Sequence, residues 1–184
     1  MSMPTRKRPR FPKVMIGKIG EITALHFLRE NRFRVYDKMH DCWYLVEMKD
    51  FYNTLLDDEK ARKWYSTHYC SIDTKWEDVE EDFEHRRKVN IEHYQKVAKK
   101  LETFVGKDKI ENFKEYLGKI THYPDFVAKK SKKIYIVEVK ANTRRIDTKK
   151  EMEDLMRAKD YGFIPMLVTL NVIIETADIV MECL

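Results

Sequence analysis

Residues 121–140 read THYPDFVAKKSKKIYIVEVK, and three of them, Asp125, Glu138 and Lys140, have the types and spacing to do chemistry. Side chains alternate along a strand, so Ile134, Ile136, Glu138 and Lys140 share one face of the run that ends here. Both faces of that run are apolar until its last three residues, which is the pattern of a strand covered on both sides. Ionised groups in such a place are costly unless they are paired or bind a metal. If Ser131 and Lys132 form the tip of a hairpin, Asp125 falls opposite Glu138 and the two carboxylates share a face. Like charges so placed repel unless a cation lies between them, and oxygen-only ligands favour Mg²⁺ or Mn²⁺. Lys140 can then orient a water or stabilise charge on a phosphate oxygen, and a nearby metal is expected to lower its pKa. The plainer reading is a surface hairpin with a salt bridge from Glu138 to Lys140. Glu-Val-Lys alone is common; Pro124-Asp125 at a hairpin's distance is what weighs against that reading.

Several elements must position these groups. From Lys13 to about Glu30, Val14, Ile19, Ile22, Leu25 and Leu28 recur at helical spacing, widened by Ala24 and Phe27. Phe33 to Asp37 alternates like a strand. CWYLVEMKD (42–50) fits either a strand or the start of a helix. Residues 51–117 are highly charged and helical in habit, with a long helix from Trp76 towards Gly106 and a shorter one from Lys109 to Leu117. Strands are expected at Pro124–Ala128 and Ile134–Lys140. A helix follows, capped by Asp147 or Thr148 and stopped at Gly162, and then a buried strand over FIPMLVTLNVII. The order is that of an α/β fold with a helical insertion at about 51–117.

The chain has 184 residues, 36% of them charged, and a net charge of +5. That length suits a single domain, 13–184, preceded by a basic, proline-containing flexible arm, 1–12. Arg6, Lys7, Arg8, Arg10, Lys13 and Lys18 crowd the N-terminus, a distribution that suits either a polyanion partner or a solvated tail. No apolar run approaches the roughly 18 residues of a bilayer span, and no signal-peptide core is present, so an intracellular protein without membrane contact is expected. Cys42, Cys70 and Cys183 lack zinc-site spacing. Among the histidines, His122 lies closest to Asp125 and reads as a loop residue. A second Glu-x-Lys, in DCWYLVEMK with Asp41, Glu47 and Lys49, has too short a spacer to bring its carboxylates face to face and reads as structural.

Pro124-Asp125, twelve residues, then Glu138-Val139-Lys140 resembles the core of the PD-(D/E)XK nuclease superfamily. Upstream, GKIGE (Gly17 to Glu21) is similar to the first helix of archaeal Holliday-junction resolvases and related archaeal viral nucleases. There a glutamate four residues after a glycine contributes to the active site, a role that maps onto Glu21. Downstream, VEVKANTRRIDTKKEMEDLMRAKDYGF resembles the core and helix of VRR-type nucleases, with Lys150 where those often carry glutamine. The resemblance covers roughly residues 13–38 and 120–172. It implies a restriction-endonuclease-like core, a mixed central sheet flanked by helices, and a Mg²⁺- or Mn²⁺-dependent endonuclease acting on DNA, with branched or junction DNA, flaps, single strands and ordinary duplex all open as substrates. Asp125 and Glu138 would ligate the metal, Glu21 would support it or its waters, and Lys140 would act on the attacking water. Arg6, Lys7, Arg8, Arg10, Lys18, Arg144, Arg145 and Lys150 would hold phosphates. The resemblance further implies a homodimer. Trp64, Trp76, Phe83, Tyr94, Val97, Leu101 and Phe104 give the helical block more apolar bulk than one chain is expected to cover, which makes that block the expected interface. The alternative is a non-catalytic nucleic-acid-binding protein on a nuclease-like fold.

Overall fold

Why a polar loop such as KKSKK makes a tight hairpin is visible at its tip. Ser131 adopts a positive φ of 56°, as two-residue hairpin loops demand of their first central residue. The structure, a computed structural model, describes residues 13–141 and 149–170. The basic arm with Arg6, Lys7, Arg8 and Arg10 lies outside the described residues, as do Arg144, Arg145, the expected cap at Asp147 or Thr148, and everything beyond Leu170.

Strands β1 (Arg34–Tyr36), β2 (Phe126–Lys130), β3 (Lys133–Ala141) and β4 (Ile164–Leu170) form a mixed sheet in the order β1-β2-β3-β4. β1, β2 and β3 are antiparallel neighbours, and β4 runs parallel to β3. The β2–β3 register runs from Phe126 opposite Val137 to Lys130 opposite Lys133. β4 is half-exposed rather than buried. Among the described residues it is an edge strand, and Pro165, which has no N–H to donate, is tolerated at such an edge.

Helix α1 (Lys13–Glu30) covers one face of the sheet, and its buried side is not the bulky stripe its sequence suggests. Gly20, Ala24 and Leu28 face inward, while Val14, Ile19, Ile22 and Phe27 are exposed. Close approach explains this. A Cβ built on Gly20 would sit 2.7 Å from the Ala141 Cβ, so only a small-residue face lets α1 lie this near the end of β3. Ala24 and Leu28 pack there with Phe126, Ala128, Val137 and Val139.

The other face is covered by α2 (Met39–Glu47), α5 (Glu80–Val105), α6 (Ile110–Leu117) and α7 (Lys149–Arg157), whose Leu45, Leu101, Phe113 and Leu155 pack with Val127, Ile134 and Ile136. The ambiguous stretch 42–50 is thus helical, burying Cys42 and Leu45 one turn apart. Helices α3 (Lys49–Leu56) and α4 (Asp58–Tyr69) close a smaller cluster of Leu55, Ala61, Tyr65 and Phe83 against α5. Trp76 belongs to a 3-10 turn before α5, not to the long helix.

The chain covers the apolar bulk of its helical block by itself and does not need a second copy to do so. Phe83, Tyr94, Val97, Leu101 and Phe104 are buried within one chain, and Trp64 and Trp76 pack against the same helices. Each buried large side chain stabilises this self-contained arrangement by roughly 1.5–3 kcal/mol. Among the described residues no helix is long and apolar enough to cross a membrane.

Candidate metal and phosphate site

The charges collect at the end of the sheet where β2 begins and β3 finishes. Continued one residue, the pairing of Phe126 with Val137 sets Asp125 opposite Glu138. Asp125 stands on the bend before β2, behind buried Pro124, and its Oδ2 accepts the Val139 backbone N–H at 2.7 Å. Burial, and then the neighbouring Glu138 carboxylate, push its pKa up to about 7 despite that hydrogen bond. Glu138 is also raised, by burial first, with the Lys140 ammonium opposing. Two partly buried carboxylates that resist ionising side by side mark a place suited to a cation.

Lys140 Nζ lies 2.9 Å from Glu138 Oε1 and 3.4 Å from Glu151 Oε2. Burial lowers its pKa, but the two carboxylates outweigh burial and hold it above the ordinary value. The lowered value expected beside a metal belongs to the metal-bound site; without the metal Glu138, and after it Glu151 from α7, hold the ammonium charged. The salt bridge of the plainer reading therefore exists, but not on the surface: the Lys140 and Glu138 side chains are only 14% and 17% exposed.

Glu21 reaches the same end from α1, positioned by the Gly20 contact. Its Oε2 accepts from Lys18 Nζ at 2.7 Å, and both residues line a cleft with Tyr123, Pro124 and Asp125. Its charge adds to the upward push on Asp125. Lys150 is exposed, and the residue of α7 that meets the site is its neighbour Glu151. The rival Glu-x-Lys spans the junction of α2 and α3, with Glu47 exposed and Asp41 buried against Tyr36 Oη and His40 Nε2.

Glu151 and Asp154 are the groups that the sequence reading missed. Asp154 is buried, and its Oδ2 accepts from Thr121 N, Thr121 Oγ1 and His122 N at 3.0–3.1 Å, with His122 Nδ1 at 3.3 Å. Burial pushes its pKa up, yet these hydrogen bonds win and hold it below the ordinary value. Arg157 donates to the Lys119 carbonyl, so one face of α7 pins the segment leading into Asp125. Two acids three apart beside Leu155 in KKEMEDLMR were the available signal.

Among the described residues no three carboxylate, histidine or cysteine side chains gather into a ready metal cage. A pair of carboxylates with raised pKa values still fits Mg²⁺, which keeps several of its waters and needs few protein ligands. The fold and this cluster together define an α/β protein with a mixed four-stranded sheet and a charged site at one sheet end. Compared with family models, with curated proteins and with solved structures, the chain matches none.

Proposed function

We propose that the chain is a metal-dependent endonuclease of the PD-(D/E)XK type, with a restriction-endonuclease-like core, hydrolysing DNA phosphodiester bonds. The observation that carries this reading is the hairpin register, which stands Asp125 beside Glu138 with Lys140 one pleat further on. Asp125 and Glu138 would hold Mg²⁺ or Mn²⁺, with Glu21 close enough to bind its waters. When bound, the ion supplies charge neutralisation at the phosphate and a lowered pKa for water. Lys140, held charged between Glu138 and Glu151, directs an N–H toward the attacking water or the developing negative charge. Asp154 fixes the 121–122 segment and so the position of Asp125.

The test is a panel of branched, duplex and single-stranded DNAs incubated with Mg²⁺, Mn²⁺ or EDTA. Metal-dependent cleavage by the wild type, abolished in Asp125→Ala with DNA affinity retained, is the expected result. Binding without cleavage under every metal condition would instead favour a non-catalytic nucleic-acid-binding protein.

A further inference from the structure

An open groove runs between edge strand β1 and helix α5. Arg34, Lys38, Lys96, Lys99 and Lys100 line it, with Asp37 as its one carboxylate. Asp37 is already engaged by Arg29 at 3.2 Å, outside the groove lining. Lys100 lies 3.9 Å from Asp41, and Arg34 rests over the Phe104 ring at 5.8 Å. Arg34, Lys38, Lys96 and Lys99 form no ion pair among the described residues. The first half of α5 behaves differently: Arg86 pairs with Asp82, and Arg87 with Asp58. Helix α5 thus pairs Arg86 and Arg87 near α4, while at the groove Lys100 is paired and Lys96 and Lys99 are unpaired among the described residues.

Position adds a second argument. Tyr36 pairs with Val127, so the C-terminal end of β1 lies at the sheet end that carries Asp125. Asp37 lines both the basic groove and the cleft containing Glu21 and Asp125, so the two are adjacent. Lys96, Lys99 and Lys100 sit on one face of α5 at helical spacing. With Thr103 they extend along about 10 Å of helix axis, the rise of about three phosphates of one strand.

We infer that this groove is a track for the phosphodiester backbone of a nucleic acid, leading past Asp37 into the carboxylate site. The inference names the binding surface of the nuclease reading above and rests on it for the destination of the strand. Phosphates meet Lys96, Lys99 and Lys100 on one wall and Arg34 and Lys38 on the other. These contacts are to backbone, so they give salt-dependent affinity without sequence preference.

The experiment measures the salt dependence of binding by the full chain to fluorescent duplex and single-stranded DNA. It compares wild type, a Lys96→Ala/Lys99→Ala/Lys100→Ala variant, the corresponding triple Lys→Arg variant and Asp125→Asn, with thermal melts confirming the fold. The triple alanine variant is expected to lower the log–log salt slope by about 2–3 units, and the arginine variant to keep it. A slope unchanged by the alanines, or a wild type that binds neither DNA, overturns the track. The two readings fail separately. A wild type that cuts DNA with an unaltered slope in the alanine variant keeps the nuclease and loses the track. A wild type that never cuts but loses its slope in that variant keeps the track and loses the nuclease.

Discussion

Asp125 and Asp154 are carboxylates at the same end of the molecule, and their surroundings treat them oppositely. Asp154 receives hydrogen bonds from two backbone amides and the Thr121 hydroxyl, and is held ionised below its ordinary pKa. Asp125 receives one amide, faces Glu138, and is pushed up to about 7. Burial raises both; the donors decide the outcome. A carboxylate built into a scaffold is surrounded by N–H and O–H groups, whereas Asp125, proposed above to hold a cation, is left short of them.

The largest expected effect comes from erasing the satisfied partner. Asp154→Ala removes a buried, charged acceptor from the Thr121 and His122 amides and the Thr121 hydroxyl, and chemical denaturation should show a loss of about 3 kcal/mol. The second effect is pH-dependent and opposite in sign for the two residues. Asp125 has a folded pKa above its unfolded one, so it costs nothing at low pH, and metal-free stability falls as pH rises from about 4 to about 7, by roughly 2–3 kcal/mol after solvent screening. Asp154 has a lowered folded pKa, so its contribution is present above the unfolded pKa and is lost as pH falls through the folded one. Asp125→Asn should flatten the neutral-side slope and leave the acid-side loss intact. Adding Mg²⁺ should recover stability at about pH 8 in the wild type only, as read by thermal melts.

A smaller effect tests how Glu21 is brought to this pair. Gly20→Ala drives a methyl against Ala141 and should cost about 1–3 kcal/mol, whereas Gly17→Ala, which meets nothing within 4 Å, should gain up to about 1 kcal/mol from helix propensity. The smallest is Glu151→Gln, which leaves Lys140 with Glu138 alone. Its ammonium pKa, followed by NMR, should fall, with a stability change of about 1 kcal/mol or less.

The sequence made the hairpin legible because its information is local: a polar tip, two apolar strands and a period of two. The helical character of 51–117 was readable for the same reason. Residues 42–50 were not, since a short apolar run satisfies both periods until Cys42 and Leu45 find α5 and α6. The stripe on α1 misled because periodicity cannot tell a bulky face from the small face that Ala141 requires. Asp154 and Glu151 were hidden because their partners lie on other elements, and neither contact has a spacing that marks it. Lys96, Lys99 and Lys100 looked like any solvated helix face until β1 was placed alongside them.

The two-residue turn at Ser131–Lys132 also sets the order in which the site comes together. Hairpins of this kind close in about 1–10 μs, well before contacts between distant parts of a chain. Asp125 and Glu138 are therefore joined early by a local event, while Glu21, roughly a hundred residues upstream, arrives only when α1 docks through Gly20. Burial is the larger cause of the raised Asp125 pKa, so repulsion between the two carboxylates sharpens as α1 and the other helices close over the hairpin. A cation that binds the hairpin early would relieve that repulsion and speed the docking of α1.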